Sequence, residues 1–275
     1  MIDLHCHSNF SDGMLTPTAL VKKAVEANIT MLALTDHDTM SGLGELHKAA
    51  HNLPLTIING IELSVRWKKY DIHIVGLNIS PDDDNILALI RQQNESRIGR
   101  ALQIAEQMKI CGIDDAYEKA CKLAGHERIG RPHFAQLFVD EGLVPDRQTA
   151  FKRYLGRGKV AYVATPWLSL TEAVEGIMQA KGQAVLAHPL KYSLTRTRLQ
   201  ELIIAFKMAG GTGLEIVSGE MTTTQIQEML GLCLRFQLYA STGSDYHGDA
   251  LSRISLGRQQ QLPVNCTPIW QQWNL

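Results

Sequence analysis

The chain has 275 residues, 45% of them apolar and 20% charged, with a net charge of −1. That is ample for a substantial hydrophobic core, and it excludes a chain whose overall charge would grip nucleic acid or an anionic membrane. The charge is unevenly spread: residues 91–159 carry 13 Lys and Arg against 9 Asp and Glu, so the remainder is the more acidic part. The five cysteines (Cys6, Cys111, Cys121, Cys233 and Cys266) are scattered, odd in number and without a CxxC pair. This pattern fits a reducing compartment and neither a disulfide framework nor a zinc ribbon. No secretory leader and no apolar run of membrane length is read in it, so a cytoplasmic location without membrane attachment is expected.

In chain order, residues 1–5 read as a buried strand running into the polar loop His5-Cys6-His7-Ser8-Asn9-Phe10-Ser11-Asp12-Gly13. On an extended backbone the rings of His5 and His7 share a face, and Cys6 turns away into the core. Thr16-Pro17 caps a helix predicted to run to about 28. The apolar run 31–35 is a strand covered on both faces, delivering Thr35-Asp36-His37-Asp38 at its end. A helix over 41–51 and a strand over 55–61, ending at Glu62, continue a βα cadence with chemistry at the strand ends. Residues 70–77, carrying His73, form a strand hairpin-paired with 63–67. A long helix is expected from Ser80-Pro81 past Met108. From about 93 to 161 the cadence stops in favour of short helices near 115–124, 132–141 and 147–155. It resumes with the capping box Ser169-Leu170-Thr171-Glu172, a strand over 183–187 ending in His188-Pro189, and a helix over 196–209. A strand over 213–217, a helix capped by Thr222 and Gln225, and a strand over 237–242 complete it, the last running into Ser244-Asp245-Tyr246-His247. The expected boundaries are 1–92 for the first part of a barrel, 93–161 for a helical insertion and 162–275 for the second part.

Six of the ten histidines and three carboxylates thus gather near strand ends: His5, His7, Asp12, His37, Glu62, His73, His188, Asp245 and His247. Burying so many titratable groups without a cation is costly, and mixed nitrogen and oxygen donors suit divalent transition metals. His47, His51 and His126 lack such company and are expected to be structural.

These motifs together (HxH…D, TDHD, GIE at 60–62, His73, AHP at 187–189 and SDYH) resemble the PHP (polymerase and histidinol phosphatase) superfamily. The resemblance implies a distorted (β/α)7 barrel and three divalent metal ions, Mn2+ first and Fe2+ or Zn2+ as alternatives. It implies that His5, His7, Glu62 and Asp245 hold one ion and that Asp12, His37 and His247, the expected catalytic set, hold a second. Glu62 would then bridge to a third ion bound by His73 and His188. Such a centre suits hydrolysis of a phosphate ester by a water whose pKa the ions lower.

The segments Glu95-Ser96-Arg97-Ile98-Gly99-Arg100, Ile129-Gly130-Arg131-Pro132-His133 and His188-Pro189-Leu190-Lys191-Tyr192 resemble the branch of 3′,5′-nucleoside bisphosphate phosphatases and 5′-3′ exoribonucleases. The implied substrate is a nucleoside 3′,5′-bisphosphate or a short RNA 5′ end, with no obligate protein partner. Arg97, Arg100, Arg131, His133 and Lys191 are the candidates for a phosphate that is not being hydrolysed. Arg128, Arg153 and Arg157 read as solvated. A small-metabolite phosphatase of histidinol-phosphatase type, or a metal- or nucleic-acid-binding module without turnover, are the competing expectations.

Overall fold

Short apolar segments that alternate with amphipathic helices bury both faces of a mainly parallel sheet, and the computed structural model, which describes residues 1–127 and 129–273, shows how. The strands are β1 (Ile2–Asp3), β2 (Met31–Leu34), β3 (Thr56–Trp67), β4 (Tyr70–Leu77), β5 (Leu168–Ser169), β6 (Gln183–Leu186), β7 (Gly213–Ser218) and β8 (Tyr239–Gly243). They are ordered β1-β2-β3-β4-β6-β7-β8, with the two-residue β5 appended to β3. Beyond β8 the chain returns to β1, through Leu4 N–H to Thr242 O (3.0 Å) and His7 N–H to Tyr246 O (2.9 Å). The result is a nearly closed barrel of seven strands, the distorted (β/α)7 barrel. Its distortion is β4, which runs antiparallel to both neighbours.

Helices α1 (Pro17–Glu26), α2 (Leu43–Ala50), α7 (Leu170–Gln179), α8 (Arg196–Met208) and α9 (Thr223–Arg235) belong to the same unit as the barrel. Alternation sorts the strand residues, interrupted only by the irregularity in β7 between Glu215 and Val217 among those described. Leu32, Leu34, Ile61, Leu63, Val65, Ile72, Ile74, Ala184, Leu186, Leu214 and Ile216 pack with residues of these helices. Ala33, Ile58, Val75, Leu77 and Val185 point the other way and cluster together with Leu4, Ala187, Ile269 and Trp273. Glu62, His73 and Glu215 share that inward parity, which is why three polar side chains of strands face the barrel axis.

Two compact units are distinguished, residues 1–90 with 168–275, and 91–167. The second contains most of α3 (Asp84–Ile110), together with α4 (Ala116–Ala124), α5 (Arg131–Asp140), α6 (Arg147–Ala150) and a π-turn over Phe151–Leu155. Its own core is built on Phe134, Phe138, Ile104, Met108 and Leu155, with the Phe138 and Tyr154 rings stacked at 4.4 Å. Arg128, expected to be solvated, lies outside the described residues.

Several element boundaries differ from expectation. The segments read as 55–61 and 63–67 form a single twelve-residue strand, β3, because nothing between Ile61 and Leu63 breaks the alternation. The helix expected from Ser80 begins at Asp84, because the Asp83 carboxylate accepts from the N–H groups of Asn85 (2.9 Å) and Ile86 (3.3 Å) and so caps it there. Gln237 is outside β8, its φ of 51° being incompatible with a strand. His73 lies in the first half of β4, not at a C-terminal strand end. The antiparallel direction of β4 brings that half level with the ends of the parallel strands, opposite Ser64. No described helix is long and apolar enough to cross a membrane, and all five cysteines are free.

The tail is fixed by the barrel. Ala240 N–H donates to Thr267 O (2.8 Å), and a 3-10 turn over Ile269–Gln272 delivers Trp273, whose indole N–H donates to Gln183 Oε1 (2.7 Å). Because Ile269 and Trp273 pack among the inward residues, Trp273→Ala should destabilise the protein by about 3–5 kcal/mol. Denaturant titration measures this, and a loss below about 1 kcal/mol would mean that the tail does not close the barrel.

Candidate metal centre

The opening loop is held by carboxylates that are not candidate ligands. Asp36 accepts from Ser8 N–H (2.7 Å), Ser8 Oγ (2.6 Å) and Ser11 Oγ (2.6 Å), and Asp3 accepts from Ser244 N–H (2.9 Å) and Gly257 N–H (2.8 Å). Burial pushes both carboxyls up, against these hydrogen bonds. Gly243 is required at the β8 end of the same region: a Cβ there would stand 2.2 Å from the Cβ of His5. Cys6, as expected, is buried facing away, its thiol donating to Ala33 O (3.2 Å).

The loops then converge on Glu62, which is fully buried. Its Oε1 lies 2.8 Å from His188 Nε2, 2.9 Å from His73 Nδ1 and 3.4 Å from His5 Nε2. Its Oε2 lies 2.9 Å from His37 Nδ1 and 3.3 Å from His7 Nε2. Asp245 Oδ1 is 3.3 Å from His7 Nε2 and 3.4 Å from His5 Nε2, and Asp12 Oδ1 is 3.2 Å from His247 Nε2. Donor atoms fall into four groups able to hold an ion: His7 with Asp12, His37 and His247; His5 with His7 and Asp245; His5 with Glu62 and His188; and His37 with Glu62 and His73. The nine candidate ligands therefore lie in one cluster, and Glu62 is shared by the two groups that contain His73 and His188.

The electrostatics show what the cluster lacks. Removal from solvent raises the carboxyls of Asp12, Glu62 and Asp245, yet the surrounding imidazoles, and Lys191 for Asp245, outweigh it and hold all three well below the ordinary carboxylate range. Burial also lowers His5, but Glu215, Glu62 and Asp245 outweigh it and raise its pKa. For His247 burial is likewise outweighed, by Asp12 and Asp245, to about 9. His7 goes the other way, driven to about 3 by burial and by His247 and His37. In the protein alone, the carboxylates are balanced by protons on some imidazoles and withheld from others. Meanwhile His5 Nε2, both ring nitrogens of His7, Asp12 Oδ1 and Glu62 Oε2 are buried without a hydrogen-bond partner. Divalent cations would satisfy both the charge and the unused lone pairs, so the donor set fits metal ions.

Lys191 is in this cluster, its Nζ paired with Asp245 Oδ2. The other proposed phosphate contacts lie in the helical unit. The guanidinium groups of Arg97 and Arg100 sit 5.1 and 5.4 Å from the Trp167 ring centre. Arg97 also approaches Gly130, at the start of α5, and His133 Nδ1 accepts from Gly130 N–H (3.0 Å). Arg131 stacks on Phe151 at 5.9 Å. Of the histidines expected to be structural, His47 bonds Asn59 Oδ1 through Nε2 (2.6 Å).

Glu215 is not among the residues that the sequence motifs single out. Its Oε1 lies 3.0 Å from His5 Nδ1 and its Oε2 accepts from His188 N–H (2.6 Å), so one carboxylate orients two candidate ligands. A glutamate inside the otherwise uncharged, wholly buried strand Gly213–Ser218 was the available signal. Tyr192 has a related place, accepting from His73 N–H (2.9 Å) and donating to Ala187 O (2.8 Å). Glu215→Gln should weaken divalent-metal affinity by about 10–100-fold while leaving the metal-free fold intact. Calorimetric titration with Mn2+ reads this, and unchanged affinity would remove Glu215 from the centre's support.

The PHP domain model matches residues 3–99. Over 272 residues the chain is 40% identical to a 3′,5′-nucleoside bisphosphate phosphatase of Chromobacterium violaceum, spanning 98% of this chain and 95% of that one. A 5′-3′ exoribonuclease of Haemophilus influenzae is 40% identical over 271 residues, spanning 98% of each. A solved structure of an amidohydrolase from Chromobacterium violaceum, with sulfate bound and no metal, is similar with a TM-score of 0.93 at 40% identity, over 98% of this chain and 95% of that chain. Similarity of this extent bears out the resemblance carried by the histidine and carboxylate motifs: the chain belongs to the PHP domain family.

Proposed function

We propose that this chain is a metal-dependent phosphoesterase that removes phosphate from nucleoside 3′,5′-bisphosphates and trims RNA from its 5′ end. The observation that carries the reading is the convergence of five imidazoles on the single carboxylate of Glu62, with Asp12 and Asp245 beside them. The names of the bisphosphate phosphatase and exoribonuclease relatives support the substrate class.

His5, His7, Glu62 and Asp245 would hold one ion and Asp12, His37 and His247 a second, with Glu62, His73 and His188 holding a third. Mn2+ is the proposed metal, and the nitrogen and oxygen set also accepts Fe2+ or Zn2+. When bound, such ions lower the pKa of an attacking water and stabilise charge that develops on the phosphoryl oxygens. The protein's own part is orientation. Glu215 accepts a hydrogen bond from His5 Nδ1–H and so leaves the Nε2 lone pair for an ion, while the Asp245 carbonyl does the same for His247 at 2.9 Å. Asp12, His37 and His247 are proposed as the catalytic set. Their side chains are 13–22% exposed, against 1% or less for His5, His7 and Glu62, so together with His73, at 29%, they form the open side of the cluster that an entering phosphate meets. Lys191 offers an ammonium to a phosphate oxygen. Arg97, Arg100, Arg131 and His133 are proposed to bind the phosphate that does not react, a role suited to guanidinium groups and to a helix start.

The test is phosphate release after metal reconstitution, across a nucleoside 3′,5′-bisphosphate, a mononucleotide, histidinol phosphate and an aryl phosphate. Turnover should favour the bisphosphate and vanish on chelation. Asp12→Asn should lower kcat about a hundredfold or more on every substrate. Arg97→Ala should lower kcat/KM about 10–100-fold on the bisphosphate and barely on the aryl phosphate. Preference for histidinol phosphate would refute the nucleotide reading, and equal losses from Arg97→Ala on both esters would remove that arginine's proposed role.

A further inference from the structure

A groove of about 410 Å³ opens directly off the centre, sharing His188, Lys191, Asp245 and His247 with it. Its remaining lining comes from the segments that follow β6, β7 and β8. Ser218 and Gly219 lie at the end of β7, Met221 just beyond, and Leu251, Arg253 and Ile254 on the loop after His247. The volume is at the lower end of the ~300–1,000 Å³ typical of small-molecule sites, enough for one nucleoside. The Ser218 residue is only 5% exposed, and its hydroxyl is buried without a hydrogen-bond partner. Such a group calls for a polar atom from an occupant. The walls at Met221, Leu251 and Ile254 are apolar, and the rim carries Arg253 paired with Glu220 at 3.1 Å. The lysine and the arginine of its lining are each already paired with a carboxylate, Lys191 with Asp245 and Arg253 with Glu220, so the groove is poorly suited to a dianionic terminal phosphate. It suits a ribonucleoside joined through a singly charged diester.

The chemistry of the proposed reaction selects which nucleoside. A centre that accepts both a bisphosphate and an RNA end can treat them as one reaction. Water adds to phosphorus, the bond from phosphorus to the 3′ oxygen breaks, and that oxygen takes a proton. A 5′-phosphorylated nucleotide with a free 3′ hydroxyl departs. The phosphate leaves either as inorganic phosphate or as the new 5′ end of the shortened chain. The two substrates then differ only in whether the reacting phosphorus carries a further nucleotide. A bisphosphate has nothing to place in a surface continuous with the reacting position, whereas RNA does. We propose that this groove is the subsite for the nucleotide on the 3′ side of the scissile phosphate, so that it serves RNA trimming and is idle in bisphosphate hydrolysis. The inference rests on the functional reading above.

The experiment compares Leu251→Glu and Arg253→Ala with the parent protein on a 5′-monophosphorylated triribonucleotide and on a nucleoside 3′,5′-bisphosphate. Both positions are exposed, so the fold is expected to persist, and the melting temperature checks it. A glutamate at 251 places a carboxylate against the incoming diester. It should lower kcat/KM on the triribonucleotide about tenfold or more, mainly through KM, with the bisphosphate within about twofold. Arg253→Ala should act in the same direction more weakly, and more at low salt than at high salt. Equal losses on both substrates would overturn the proposal by assigning the groove to the departing nucleotide, and no loss on either would overturn it by removing the groove from binding. A parent protein that cleaves both substrates while the variants are unselective overturns the groove alone. A parent inert on both overturns the functional reading, and this inference with it.

Discussion

One carboxylate sets the terms for the rest of the molecule. Glu62 is buried on the inward face of β3 and has five imidazoles within 3.4 Å. A unit charge at such a distance interacts with another by about 5–6 kcal/mol even at an effective dielectric constant of 20, so the protonation of the whole cluster is collective. The protein alone resolves the conflict unevenly: His247 keeps a proton through Asp12 while His7, stacked on it at 4.0 Å, is driven to about 3. A divalent cation relieves the same conflict without requiring neighbouring imidazoles to differ. The rigidity around the cluster, from Asp3 and Asp36 holding the opening loop to Gly243 fitting against His5, keeps these groups close despite their mutual repulsion.

The candidate ligands were legible because most of them interrupt or closely follow an apolar run, while Asp12 and His247 stand in the polar loops that such runs lead into. Their supports were less legible. Asp36 stands between Thr35 and His37 and is hard to distinguish from a ligand until its three hydrogen bonds to Ser8 and Ser11 are seen. Glu215 was readable in principle, since parity places it inward with Glu62 and His73. That inference needs the strand's phase, which a wholly buried strand does not reveal, because both faces are apolar. The tail was not placed from sequence, since Ile269 and Trp273 have no periodicity of their own and are specified only by the space the barrel leaves them. Arg97, Arg100, Arg131 and His133 read as a basic set, but their grouping around Trp167 and the start of α5 depends on contacts distant in the chain.

The inverted strand explains two features that sequence treats as unrelated. Because β4 is antiparallel, His73, three residues after its start, reaches Glu62 from the same end as residues that terminate parallel strands. For the same reason β4 finishes at the opposite end of the barrel, where Leu77 pairs with Gln183, the first residue of β6. The chain therefore leaves the main strand path at Leu77 and rejoins it at the adjacent Gln183, and apart from the two-residue β5 appended to β3 the span from 78 to 182 is topologically one connection between neighbouring antiparallel strands. A parallel pair would need a crossover that returns along the sheet, and its length and packing would be constrained. An antiparallel pair has no such requirement, since its connection starts and ends at one edge. Register between β4 and β6 is then fixed by their own four-residue ladder and is indifferent to what the connection contains. This is the place in the barrel where a helical unit with its own core can be accommodated at small cost to the strands that position the centre. The strand that supplies His73 and the interruption of the βα cadence are thus two results of one reversal of chain direction.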